Sequence, residues 1–108
     1  MTEEIKDQEN TTEKNLLLVS GSKGSKGNDK EYVKKLSNAI NQVFYKHKSA
    51  RMRCVGAASL NNAVKAFIIA KGEAQKRGET FLLDISFTTV SFDGDEKTGI
   101  ILDVVSSN

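Results

Sequence analysis

The stretch from Cys54 to Gly72, CVGAASLNNAVKAFIIAKG, constrains the fold of this chain more than any other. It reads as the end of a strand, a turn of small residues, and then a helix that is apolar almost all round. Between Asn62 and Ala70 the only charged side chain is Lys65. A surface helix keeps a broad polar face for water. One that lacks it must be covered on more than one side, by a sheet or by a second subunit. Asn61, Asn62 and Lys65, near its start, are the polar exceptions.

The rest of the chain supplies the sheet. At 108 residues there is enough for one domain with one core. Residues 1–15 are polar and charged and are expected to form a disordered acidic tail ahead of a single domain over residues 16–108. Leu16 to Ser20 is a continuous apolar run, read as a buried strand. Gly21 to Gly27, GSKGSKG, is a flexible loop. Asn28 with Glu31 three residues on signals the start of a first helix, whose stripe is Val33, Leu36, Ile40, Val43 and Phe44. Lys46, His47 and Lys48 close it, where cations suit the helix dipole.

Ala50 to Val55 alternates, Arg51 and Arg53 on one face and Met52 and Cys54 on the other, as a half-buried strand does. Ser59 is the expected N-cap of the second helix, which runs from Leu60 to about Lys71 or Arg77, with Gly72 and Gly78 as candidate ends. Thr80 to Phe92 is β-branched and aromatic, a long strand. Asp93-Gly94 is a turn signal, with a hairpin loop expected to about Lys97 and a last strand from Thr98 to Val105. The order β-α-β-α-β-β predicts an α+β two-layer sandwich of a sheet and two helices.

Chemistry is mostly excluded. No apolar run approaches the roughly 20 residues that cross a bilayer, and no membrane association is expected. The N-terminus has no basic-then-apolar pattern, so a secretory signal is not expected and Asn10-Thr11-Thr12 reads as a chance sequon. The single cysteine, Cys54, leaves no internal disulfide and fits a reducing, cytoplasmic compartment. One histidine and one cysteine do not make a zinc site, and no metal or cofactor is expected. GSKGSKG matches neither the P-loop nor the dinucleotide fingerprint. Asp93, Asp95 and Glu96 crowd a hairpin tip, where they lack the burial that tunes an acid for catalysis. Cys54 reads as a small core residue and His47 as a helix-end group. No nucleophile has a base partner, so an enzyme is not expected.

Net charge hides a pattern. Residues 1–15 carry a net −3, residues 20–77 a net +10 and residues 78–108 a net −5. A basic middle between acidic ends places a positive face on the fold for a polyanion, or else dissolves helix faces whose charges pair with the C-terminal half.

Gly56-Ala57-Ala58-Ser59-Leu60-Asn61-Asn62-Ala63-Val64-Lys65-Ala66 resembles the Gly-Ala-Gly-Ala-Leu-Asn-Gln-Ala-Val-Lys-Ala signature of the stage V sporulation protein S family. Asp93-Gly94-Asp95-Glu96-Lys97-Thr98 is similar to that family's Asp-Gly-Glu-Glu-Arg-Thr, and Val19-Ser20 and Phe87-Thr88 also match. The resemblance spans roughly Leu16 to Val105. It implies an Alba-like fold of the same β-α-β-α-β-β order, a regulator of spore development, and, through Alba proteins, dimeric DNA or RNA binding. The departures are a longer region between Leu18 and Tyr45, Ala58 in place of a glycine and Asn62 in place of a glutamine. Alba proteins are basic at the turn into the second helix; here stand Ala57, Ala58, Asn61 and Asn62.

Phosphate binding needs several cations on one surface, because affinity comes from released counterions. The candidates are Lys23 and Lys26 in the loop, Lys30 and Lys34 one turn apart beside it, and Arg51 and Arg53 on one strand face, which is either open or covered by helices. Lys97, by the resemblance to Alba, reaches from the hairpin. Asn61 and Asn62 either bond bases and sugars or serve local hydrogen bonds in the turn. Few exposed aromatics are expected, which gives base stacking little support. Two functions stay open: a nucleic-acid-binding regulator of low sequence specificity, cytoplasmic or at the nucleoid or in a nucleus, forming a homodimer; or a protein-interaction module that assembles as a dimer without touching nucleic acid.

Overall fold

The computed structural model of the protein describes residues 14–21 and 29–107. Most of the expected tail, the loop with Lys23 and Lys26, and the cap at Asn28 lie outside the described residues. The elements are β1 (Leu16–Leu18), α1 (Asp29–His47), β2 (Ala50–Cys54), α2 (Ala57–Gln75), β3 (Phe81–Phe92) and β4 (Asp95–Ser106), the order expected from the sequence. The strands form one sheet in the order β1-β2-β4-β3. β1 runs parallel to β2, and β4 lies antiparallel to both β2 and β3.

This topology fixes the direction of the helices. β1, β2 and β3 all point the same way, and α1 and α2 each carry the chain back from one of these strands to the next. Both helices therefore run against the strands and parallel to each other, and both start at the end of the sheet where β1 and β2 finish. Side-chain contacts agree. Asn41 of α1 donates to the Ala70 carbonyl of α2 at 3.3 Å and accepts from Arg77 at 2.8 Å, which ties the C-terminal halves together.

The core lies between this helix pair and one face of the sheet. Ala50, Met52 and Cys54 of β2 and Leu102 and Val104 of β4 meet Val33, Leu36, Ile40 and Phe44 of α1 and Ala63, Ala66, Phe67, Ala70 and Ala74 of α2. The Phe44 and Phe81 rings sit 4.7 Å apart between centroids, tilted against each other. The alanines recur at helical spacing, so α2 presents a smooth face that lets its backbone come close. Asn15, assigned to the tail by sequence, is held at the domain's edge: its carbonyl accepts the Arg51 N–H and its amide donates to Ser49 Oγ at 2.8 Å.

Three details differ from the sequence reading, and one that it left open is decided. β1 is a three-residue edge strand, half-buried with Leu18 exposed, because nothing pairs with its outer side among the described residues. α2 begins at Ala57 with Gly56 as N-cap, and Ser59 lies inside the helix, where its hydroxyl donates back to the Val55 and Gly56 carbonyls. Gly72 does not end the helix. Finally, the hairpin loop is only Asp93-Gly94, with φ of 50° and 83°, the two left-handed residues that a tight hairpin turn requires. Pairing resumes at Asp95, so β3 and β4 match over 12 residues each. β2 covers β4 only from Ile100 to Val104, so the rest of the hairpin projects as an arm past the end where both helices start. Gly99 stands where β2 stops: a Cβ there would lie 2.9 Å from the Cys54 carbonyl oxygen.

Candidate nucleic-acid interface

Lys23 and Lys26 lie outside the described residues; the other seven candidates have a definite place. Lys30 and Lys34 are exposed on the first two turns of α1. Asn61 is exposed and Asn62 buried in the second turn of α2. Lys97 is exposed on the hairpin arm, opposite Val90 and beside the acids Asp95 and Glu96 of the tip. All five lie toward the same end of the molecule. Arg51 and Arg53 do not join them. They alternate with the buried Met52 and Cys54 and so occupy the sheet face turned away from the helices. Arg51 is engaged there by its cross-strand neighbour Asp103, with Nε 2.7 Å from Oδ1 and Nη2 3.2 Å from Oδ2. At that partial exposure the pair is worth about 0.5–1 kcal/mol, and it removes Arg51 from the free cations.

The start of α2 is unusual among helix ends. Gly56 has no side chain to cap it, the first turn holds no acidic residue, and Gly56, Ala57 and Ala58 are exposed. No carboxylate of the first turn therefore neutralises the positive end of the helix dipole, and such an end is favourable for phosphate.

A groove of ≈ 530 Å³ opens between the two helices, lined by Lys30, Val33, Asn61, Asn62, Lys65, Ile68 and Ile69. Two ammonium groups border it, and among the described residues no carboxylate lines it. At its inner side Asn62, only 4% exposed, donates from Nδ2 to the Ser20 carbonyl at 3.1 Å. Tyr32 accepts from the Ser20 N–H at 2.8 Å. These two bonds pin the chain leaving β1 over the start of α2, where a Cβ on Gly21 would come within 3.1 Å of Ala58 Cβ.

Sequence reasoning missed the groove and its members Val33, Lys65 and Ile69 as a unit. The signal was present: Asn61, Lys65 and Ile69 recur every four residues and share one stripe of α2. What it lacked was the direction of the neighbouring helix. Among the described residues Tyr45 and Phe87 are the aromatics that stand exposed. Cys54 is buried as expected, and loss of hydration pushes its thiol up to about 11, with a contact to Ser59 pulling the other way. No helix of the described residues is long and apolar enough to cross a membrane. Among those residues no group of three or more His, Cys, Asp or Glu could hold a metal ion.

The fold is thus an α+β sandwich of the Alba-like class, with a two-helix layer on a four-stranded mixed sheet. Residues 26–107 match the family model for stage V sporulation protein S, and the chain belongs to that family. Membership supports a sporulation-related role for this small protein, in a family not known for enzymes.

Proposed function

We propose that the protein is a small regulatory nucleic-acid-binding protein that holds DNA or RNA mainly through the phosphate backbone, with low sequence specificity. The groove bordered by Lys30 and Lys65, beside a helix α2 whose first turn carries no acid, is the observation that carries this reading. Lys34 extends the basic strip along α1. Lys23 and Lys26 belong to the segment that leads into it. Lys97 on the arm meets a second stretch of backbone. Arg53 on the open sheet face has no part in this contact. A cytoplasmic site of action, at the nucleoid or in a nucleus, goes with the reading.

A homodimer belongs to the same proposal. Val64 (37% exposed) and Ile68 (62%) on α2, and Ile85 (59%) and Phe87 (80%) on β3, leave apolar surface in water, and β3 is a sheet edge. The same surface supports the second reading, an assembly module without nucleic acid.

The deciding experiment is a low-salt titration of the purified protein against duplex DNA, single strands and structured RNA, repeated as salt rises. Log affinity is expected to fall linearly with log salt, with a slope of about 0.9 per phosphate neutralised on a duplex. Lys30→Glu with Lys65→Glu should weaken all three. Absence of binding at low salt, with a dimer in light scattering, would move the protein to the assembly reading.

A further inference from the structure

The groove between α1 and α2 has features that phosphate binding alone does not use. Its walls include Val33 and Ile69, which offer apolar surface to something other than a charge. At its side stands Asn62, whose amide nitrogen is satisfied by Ser20 while its Oδ1 has no partner among the described residues. The side-chain carbonyl of a residue only 4% exposed, left without a partner among the described residues, calls for an N–H or O–H donor. The exposed amide of Asn61 lies beside it. Lys30 and Lys65 border the same space with positive charge. The occupant must then combine three properties: a flat or compact apolar body, an edge that donates a hydrogen bond, and an attached anion.

From this chemistry we infer that the groove receives one unstacked nucleobase of a single strand, its phosphate held between Lys30 and Lys65. The inference rests on the proposed nucleic-acid binding and adds to it. The ≈ 530 Å³ of the groove falls in the range of small-molecule sites, about 300–1,000 Å³. A fatty acid would supply the apolar body and the anion but no donor for Oδ1. Every nucleobase carries at least one N–H donor on its Watson–Crick edge, so the groove accepts any of them. In a duplex those edges are already paired and the bases stacked, and the site is closed to them. The protein therefore prefers unpaired strands without reading their sequence.

The test is fluorescence anisotropy at low salt with three labelled probes of equal length: a single-stranded oligonucleotide, its duplex, and a backbone made entirely of abasic sites. Phosphate binding alone predicts that the single strand and the abasic chain bind alike. The inference predicts that the single strand binds at least about fivefold tighter than the abasic chain, the lower end of what one base gains by stacking, since these walls are aliphatic rather than aromatic. Ile69→Gln, on a partly exposed position that keeps every charge, should narrow that gap to under twofold, and circular dichroism checks that the variant is folded. Equal affinity of wild type for the single strand and the abasic chain overturns the groove and leaves phosphate binding standing. No affinity for any of the three overturns both.

Discussion

α1 and α2 are the same length, 19 residues each, run in the same direction and share one core, yet they finish their outer faces in opposite ways. α1 turns Lys34, Lys35, Asn38, Gln42 and Lys46 to water and keeps Leu36, Ile40 and Phe44 inside. α2 spends small residues on its inner face and leaves Val64, Ile68 and Ile69 outside. The first helix is complete within one chain. The second buries Phe67 among its alanines but leaves Val64, Ile68 and Ile69 on the side the fold does not cover. The comparison teaches that an almost wholly apolar helix in a two-layer fold is only half explained by the sheet beneath it.

The largest effect that would sharpen this contrast is on α1's inner side. Ile40→Ala should cost about 2–5 kcal/mol in urea unfolding, because Ile40 is fully buried and the sheet cannot collapse onto the gap. A loss of less than 1 kcal/mol would mean that α1 does not anchor the core. Next comes alkaline pH beneath the first turn of α2. The Cys54 thiol ionises near 9.0 when unfolded and near 11 when folded. Between those values the unfolded chain binds fewer protons, so stability falls as pH rises, by up to about 2–3 kcal/mol, and levels off above pH 11. Below pH 9 the group contributes no pH dependence. Denaturant titrations at several alkaline pH values, with Cys54→Ala as reference, isolate this slope; identical slopes in the two proteins would contradict it.

On α2's inner side the expected fault is excess rather than loss. Ala70→Leu should destabilise by about 1–3 kcal/mol through overpacking, whereas the contrast would break if it stabilised the fold. The smallest expected change in stability comes from the outside. Ile85→Lys with Phe87→Glu on β3 should alter monomer stability by no more than about 0.5 kcal/mol, while light scattering shows the dimer lost. A dimer that survives places the interface elsewhere.

Much of the fold was legible. The 3.6-residue stripe over Val33, Leu36, Ile40 and Phe44 and the alternation through Arg51 to Cys54 are local consequences of where core and water lie, and each element was found in its expected order. The boundaries that failed had one local cause and one non-local one. Ser59 has the chemistry of a cap, but the glycine before it takes the non-helical conformation, which frees the serine to bond backwards inside the helix. LLLVS reads as a buried strand by hydropathy, yet at a sheet edge Leu18 has no neighbour to cover it. The candidate cations were all visible in the sequence. Their partition was not: Arg51 and Lys30 look alike in a charge tally until one is found beside Asp103 on the open sheet face and the other beside the groove.

By itself, then, the sequence determined the elements, the family and the basic character of the middle of the chain, because hydrophobic period and short motifs are properties of neighbouring residues. The tertiary structure decided that α1 and α2 run parallel with a groove between them, that the arm projects past the end where they start, and that Asn62 lines that groove. Those facts follow from strand order and direction, which come from pairings between residues far apart in the chain and leave no local mark in it.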